Sequence, residues 1–580
     1  MFDILIHGGM VLDGTGSEAV LADVAIRGDR IVALGALVQA ARATGTPLTN
    51  LAAECIDASG LVLAPGFIDM HTHSDFTLLV DGSADSQICQ GVTTEVIGQC
   101  GFSAAPLAAQ PDPSQMLGHM EAGVALDWRS FAQYLDRLQA ARPAVNVAAF
   151  VGHGALRRVA TANRSGAGSQ AVAVPVPAPA PAPVPAPAPE KAPATGDCSA
   201  AEMQHMVQLA EQAFDEGAMG LSTGLEYWPG NQSPDAELQA MAAVAARRGK
   251  LYATHVRNRD VDCETSFAEA LRTARRSGAR LQISHIQPKY GAPPQAMALA
   301  LEQIDQATRE GVDVAFDVIP HEWSHTVVIA CLPAWAREGG IEQTRLRLQD
   351  PVQRERMKHN PRPIWRLVSD GQWSRIVLLT SQAHPELVGL DFAHIGRLRH
   401  CSPHDAVFDL LLDEGPAMAQ LMWTSKNFDD ADICLCLQDA RCSVMSDTLA
   451  VSAQGPLQGT IGSLGGYGWV ARLLGHYARD RGVLSLAQAV HRITGRPAER
   501  LGLRDRGVLR EGAFADLVVF DPAQVQDRSS IAQPAQHPNG FVHVLVNGSW
   551  ALRQGLRVGG VASAPLNGPT QRAGRVLRGD

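Results

Sequence analysis

Pro65-Gly66-Phe67-Ile68-Asp69-Met70-His71-Thr72-His73 is an apolar run that ends in two histidines spaced i, i+2. Along a strand successive side chains point to opposite faces, so His71 and His73 are expected on one face. Two imidazoles at a strand end can chelate a divalent metal, because neutral imidazole suits zinc and its neighbours. By itself an H-x-H pair fits an exposed turn as readily. The rest of the chain decides between the two readings: Cys100, His255, His285 and Asp447 each close a separate short apolar run in the same way.

Eight such runs follow one another, at 65–73, 92–100, 146–152, 218–223, 251–255, 281–285, 312–319 and 442–447. Most are rich in Val, Ile, Leu and Thr and lack strict polar alternation, as parallel strands buried on both faces do. Helical patterns separate several of them, at 201–217 and 263–278, each ending at a Gly just past the last periodic residue. Eight strands alternating with helices predict a (β/α)8 TIM barrel, whose chemistry sits at the C-terminal ends of its strands. His71, His73, Cys100, His255, His285 and Asp447 all occupy that position. Their convergence predicts a metal site.

The flanks have a different character. Short strand signals with Gly and Asp-Pro turns fill residues 1–64 and recur in 504–580. They predict a small β-sandwich assembled from both termini, with a tail at the end of 504–580, around a barrel at 65–503. Two insertions interrupt that barrel. Residues 170–195 alternate Ala or Val with Pro, a pattern that excludes a helix ladder and predicts solvated polyproline II. Residues from about 332 to 440 separate the seventh and eighth strands and are expected to fold as a lid over the mouth.

Composition bounds the function. The chain has 580 residues, is 46% hydrophobic and carries a net charge of −10, with no basic block of the kind that binds nucleic acid. Its ten cysteines form no small-domain disulfide framework, which points to a reducing cytoplasm. The start MFDILIHGGMVLDG lacks the features of a signal peptide, and no run approaches the ~20 apolar residues of a membrane span. Nothing in the sequence fixes an oligomeric state.

PGFIDMHTHSD, QGVTTEVIGQCG, VGHGALR, GAMGLSTGLEYWPG, LYATHVRN, QISHIQ and SDT, in this order, resemble the amidohydrolase superfamily, and more narrowly its N-acyl-D-amino-acid deacylases (D-aminoacylases). The tail GVLREGAFADLVVFDP matches the closing β segment of that family. The resemblance covers nearly the whole chain apart from the Ala/Pro stretch. A Cys after the second strand, where many relatives rely on a carboxylated Lys after the fourth, marks the deacylase branch, and 218–227 contains no Lys.

The chemistry can be argued beside the resemblance. Amide hydrolysis needs an activated water, a polarised carbonyl and a proton for the departing amine. Zinc lowers the pKa of water towards ~7 and acts as a Lewis acid. Cys100, His255 and His285 give three protein ligands and leave a fourth position for water; the resemblance implies the same set for one tightly bound Zn2+. His71, His73 and Asp447 then form a neighbouring, weaker position, bridged by Cys100 if a second metal binds. Asp447 is the carboxylate placed to serve as general base and then acid.

An N-acyl amino acid carries a free carboxylate, so the pocket should offer a cation or several donors. Arg257 lies two residues past His255, on the same face if the strand persists; Lys289 and Tyr290 follow His285, and Tyr227 follows the fourth strand. Two positions depart from the family: Gln287 stands where a Lys is common, and Ile319 where a Tyr is common. Glu226 at the mouth is expected either to support a ligand or to repel an acidic substrate. His153 is expected to be a satisfied buried histidine. The reading is a zinc-dependent hydrolase of linear amides, acting on N-acyl-D-amino acids, with the D preference implied by the resemblance alone. The alternatives are a cyclic amidase (hydantoinase-like) or dipeptidase on the same scaffold, and a catalytically silent scaffold that should have lost ligands. The Ala/Pro stretch yields a first prediction. Excising 170–195 and closing with a short Gly/Ser linker should leave metal binding and turnover nearly unchanged, since polyproline II has no internal hydrogen bonds. A folded, metal-loaded variant with a much raised KM would show that the stretch reaches the mouth.

Overall fold

The computed structural model describes residues 1–109, 111, 124–162, 197–337, 340–359, 365–558 and 572–579. The Ala/Pro stretch at 170–195 lies outside the described residues. The eight runs form eight parallel strands: β1 (Phe67–Asp69), β2 (Val92–Ile97), β3 (Asn146–Gly152), β4 (Gly220–Gly224), β5 (Leu251–His255), β6 (Arg280–Ile283), β7 (Val314–Val318) and β8 (Cys442–Val444). Each pairs with its neighbour in sequence, from β1 through to β8. A parallel bridge between Thr72 and Thr448 joins the two ends beyond β1 and β8. The fold is a TIM barrel with helices between its strands.

The missing polar alternation has a structural cause. On β3, Ala148 and Phe150 point into the barrel with Ile68, Val96, Leu251 and Met445. Val147, Ala149 and Val151 point the other way, into the core shared with the helices. Both faces are apolar, so the period of two is hidden in composition while preserved in packing. The helix Ala200–Asp215 begins at a reciprocal Ser199–Glu202 capping box and buries Met206, Ala210, Ala213 and Phe214. Helix Cys263–Ser277 stops at Gly278, whose φ of 73° is the left-handed conformation that glycine adopts without a Cβ penalty.

The two termini meet in a β-sandwich domain built on one nine-stranded sheet, where the N-terminal strand Val62–Pro65 pairs antiparallel with Leu517–Phe520. Alternation again sorts the residues. Leu517 and Val519 enter the β-domain core with Ile4, Val24 and Leu63, whereas Val518 and Phe520 face the barrel. Phe67, at the start of β1, packs edge-on against Phe520 and Phe541 at centroid distances of 6.3 and 6.5 Å.

Two placements differ from the sequence reading. The last residues leave the β-domain: Val576–Leu577 add a parallel strand beside β3, with Leu577 against the barrel interior. Two residues of hydrophobic pattern are too few to declare a strand without their partner. The insertion between β7 and β8 starts earlier than 332, because Trp323–Val327 is already part of a separate antiparallel sheet with Met422–Lys426 and Ile376–Leu378. That unit has its own core, including Trp365, Trp373, Phe392, Phe408 and Trp423. Among the described residues, no helix is long and apolar enough to cross a membrane.

The tail is tied by Val147 N–H to the Arg575 carbonyl at 2.8 Å, Arg575 N–H to Asn146 Oδ1 at 3.2 Å and Val576 N–H to Gln139 Oε1 at 2.8 Å. At about 1 kcal/mol net for each hydrogen bond, removing 572–580 is expected to cost on the order of 3 kcal/mol. The measurement is thermal unfolding; a melting temperature equal to that of the full chain would contradict the assignment.

Candidate metal centre

The ligand candidates sit just beyond their strands rather than on them. β1 ends at Asp69, β2 at Ile97, β6 at Ile283 and β8 at Val444; only His255 is the last residue of its own strand. Cys100, His285 and Asp447 take left-handed backbone conformations, with φ of 52°, 35° and 51°. Such φ values are uncommon for non-glycine residues and turn each side chain inward at the mouth. His71 and His73 keep their shared direction for a local reason: Thr72, between them, is bridged to Thr448, so the segment stays extended after β1 has ended.

These turns bring all six residues together. Cys100 Sγ lies 3.3 Å from His71 Nε2, 3.5 Å from His255 Nδ1 and 3.3 Å from His285 Nε2. Asp447 Oδ1 lies 3.6 Å from His71 Nε2 and 3.2 Å from His73 Nε2. The donors therefore fall into two overlapping groups, His71–Cys100–His285 and His71–His73–Asp447. Zinc bonds of about 2.3 Å to sulfur and 2.0–2.1 Å to nitrogen, at a tetrahedral angle, set S and N about 3.6 Å apart. The observed spacings match that geometry, so His71, Cys100 and His285 fit a zinc-sized ion; His255 reaches Cys100 at 3.5 Å but falls outside that group.

Electrostatics agree with the donor set. Burial pulls His71 down to about 3 and His255 to about 4, and carries His285 well below its usual value. All three imidazoles are thus neutral, the form that ligates metals. Burial, with Asp447 nearby, pushes the Cys100 thiol well above its usual range, so a thiolate here needs a cation beside it. Burial also raises Asp447, but the hydrogen bond with His73, with the His285 and His71 rings beside it, reverses that and holds the carboxyl well below the carboxylate range.

The surrounding residues hold the donors. His255 Nε2 bonds Glu226 Oε2 at 2.9 Å, and Glu226 pairs with Lys289. A carboxylate on the far nitrogen of a ligand histidine fixes its tautomer and orientation. Burial raises Glu226, but Lys289 and His255 reverse that and bring it to about 2. Asp317 Oδ1 accepts the His285 N–H at 2.6 Å and Asp69 Oδ1 accepts the Ser446 N–H at 3.1 Å. Arg259, 4% exposed, donates through Nη1 to the His285 carbonyl at 2.6 Å. Arg259 and Asp317 carry no motif signal of their own: one lies just past His255 and the other within β7.

The four residues expected to meet substrate separate. Tyr227 stays at the cluster, its ring edge-on to His255 at 4.8 Å. Lys289 reaches the cluster, but its charge is answered by Glu226. Arg257 turns away: β5 stops at His255, the strand face does not continue, and the guanidinium bonds Glu269 at 3.0 Å and the Asn231 and Ser233 carbonyls. Tyr290 also turns outward, its ring under Arg375 at 4.9 Å and its N–H on Asn427 Oδ1 at 3.0 Å. His153 is buried and only half satisfied: Nε2 lies 2.7 Å from Glu237 Oε1, while Nδ1 has no hydrogen-bond partner. Gln287 bonds both the N–H and the carbonyl of Ile319, knitting the loops after β6 and β7.

The amidohydrolase family model matches residues 54–173 and 437–550. An N-acyl-D-glutamate deacylase of Alcaligenes xylosoxydans xylosoxydans is 33% identical over 578 residues, covering 100% of this chain and 97% of that protein. The crystal structure of N-acyl-D-glutamate deacylase from Bordetella bronchiseptica, complexed with zinc and a phosphonate mimic of the tetrahedral intermediate, superposes with a TM-score of 0.75 at 30% identity, covering 100% and 99% of the two chains. A D-aminoacylase structure, described for one-metal activation and second-metal attenuation at a binuclear centre, gives 0.74 at 29% identity with both chains covered in full. A barrel with this cluster at its mouth, matched along its whole length in this way, defines an amidohydrolase. The chain belongs to the N-acyl-D-amino-acid deacylases, the D-aminoacylase branch of that family.

Cys100 contacts all three neutral histidines, so Cys100→Ala is expected to lose tightly held metal while the barrel stays folded. Metal content of the purified variant tests this. Full occupancy would place the metal elsewhere.

Proposed function

We propose that the protein hydrolyses the amide bond of N-acyl-D-amino acids to a carboxylate and a free D-amino acid, with one zinc ion held by Cys100, His255 and His285. The observation that carries the reading is the single thiol shared by three neutral histidines with Asp447 opposite, in a chain matched end to end by a deacylase. His71, His73 and Asp447 form the weaker second position, next to Cys100. Zinc supplies Lewis acidity towards the scissile carbonyl and eases ionisation of water near neutral pH.

The proton steps belong to the chain. Asp447, held ionised beside His73, accepts a proton from the attacking water as the new C–O bond forms. It returns that proton to the amide nitrogen as the C–N bond breaks, so the amine leaves neutral. His73 and His71 fix the direction of the Asp447 carboxylate. Tyr227 and Arg259, beside His255 and His285, are assigned to the carboxylate end of the substrate. The ten cysteines are all free, which supports a reducing cytoplasm as the place of action.

The test is amine release from paired N-acetyl-D- and N-acetyl-L-amino acids by the zinc-loaded protein. Release from the D series alone, abolished by a chelator, is expected. Turnover of cyclic amides with none of the linear ones would overturn the reading. Asp447→Asn keeps the shape but accepts no proton, so zinc should remain while kcat falls by ~100-fold or more. Loss of zinc from that variant would make Asp447 chiefly a ligand.

A further inference from the structure

His255 presents Nδ1 to Cys100 and turns Nε2 away from it, towards a buried ion pair that the proton steps above do not use. Glu226 Oε2 accepts from that nitrogen at 2.9 Å. The other oxygen, Oε1, takes Lys289 Nζ, and the two side chains are only 7% and 2% exposed. Lys289 Nζ also lies 4.6 Å from the centre of the Trp365 ring. Trp365 belongs to the core of the unit inserted between β7 and β8, stacked edge-on with Trp423 at 5.3 Å. The Lys289 backbone is pinned as well: its N–H bonds the Arg259 carbonyl at 2.6 Å, and Arg259 in turn bonds the His285 carbonyl.

We propose that Glu226 and Lys289 are positioning residues for the metal ligand His255, and that Trp365 of the inserted unit closes over them. The inference rests on His255 being a ligand, as the proposed function has it. A histidine that coordinates through Nδ1 needs its proton on Nε2, and an acceptor there selects that tautomer and sets the ring plane. Glu226 is the acceptor. A lone carboxylate is costly at this depth, and Lys289 offsets that cost through an ion pair and through the face of Trp365. The Lys289 charge is therefore committed within the chain rather than held open for a substrate carboxylate. The inserted unit thereby touches the ligand sphere through three contacts in series: Trp365 to Lys289, Lys289 to Glu226, Glu226 to His255.

The test uses the full-length protein with zinc, and again with cobalt(II) for its spectrum. Zinc affinity is read by competition with a chelating dye, and KM and kcat are read separately. Glu226→Gln is expected to weaken zinc by ~10- to 100-fold and to shift the cobalt ligand-field bands, with KM changed less than threefold. Lys289→Met should do the same, and the double variant should be no worse than the weaker single one, since the pair acts as a unit. Lys289→Arg should recover most of the affinity. Trp365→Leu, a core position whose folding is checked by circular dichroism, should weaken zinc by a smaller factor in the same direction. A Lys289→Met protein whose KM rises tenfold while zinc affinity and cobalt bands stay fixed would overturn the proposal and make Lys289 a substrate contact. Unchanged zinc affinity in all of these variants would overturn it too. Failure of the underlying reading looks different: wild-type zinc affinity would then survive Cys100→Ala.

Discussion

Three donors converge because the backbone at Cys100, His285 and Asp447 is turned into a left-handed conformation that their side chains disfavour. Each such residue costs about 1 kcal/mol or more, and the surrounding structure holds it there. The His285 N–H is fixed by Asp317, and the Asp447 N–H bonds the His71 carbonyl at 3.1 Å, so the ends of β1 and β8 constrain each other. After Cys100, Gly101 N–H bonds Ser222 Oγ at 3.0 Å. Gly224 lets the end of β4 press directly on this turn, for a Cβ there would collide with the Cys100 carbonyl. The strain is local and the restraint is distributed around the barrel, so the backbone itself sets where these side chains point.

Burial does a second job at the same place. Taken out of water, the three histidines lose their protons and the acids around them differ sharply from one another. Asp69 and Asp317, without a cation of their own, rise to about 7. Asp447 and Glu226 sit at the other extreme, Asp447 because His73 hydrogen-bonds its carboxylate and Glu226 because Lys289 answers its charge. Carboxyl groups pushed apart in this way take different roles. The two raised ones work through hydrogen bonds to backbone N–H groups, and the two lowered ones present full carboxylates, one to the reaction side and one to His255.

The barrel and the clustering of the six candidate donors were legible in the sequence because both depend on short-range signals. Eight apolar runs each end in a group able to ligate or to carry protons, and run order is strand order in a parallel barrel. The contacts of Arg257 were not legible. The i, i+2 rule holds only while a strand continues, and β5 stops at His255, so Arg257 follows the loop to Glu269 instead. Arg259 and Asp317 are hidden for the opposite reason: each is an ordinary polar residue in sequence, and its meaning comes from a carbonyl or an N–H of His285, which lies just past another strand. The strand at Val576–Leu577 is the extreme case, since its partner Val147 is more than four hundred positions away.

The arrangement of charge at the mouth constrains how substrate recognition can work. Lys289 and Arg257 are the cations nearest His285 and His255 in sequence, and each is answered by an acid of the chain, Glu226 and Glu269. A substrate anion approaching Lys289 competes with Glu226, and whatever it gains there is reduced by what the pair loses. Because Glu226 also holds His255, that competition would loosen the metal ligand as it tightened the substrate. Binding and metal affinity would then oppose each other by the same coupling free energy. A site in which the two processes reinforce each other must leave the Glu226–Lys289 pair intact and receive the anion elsewhere, which is why Arg259, which hydrogen-bonds the His285 and Gln287 carbonyls rather than a carboxylate, is the better place for it.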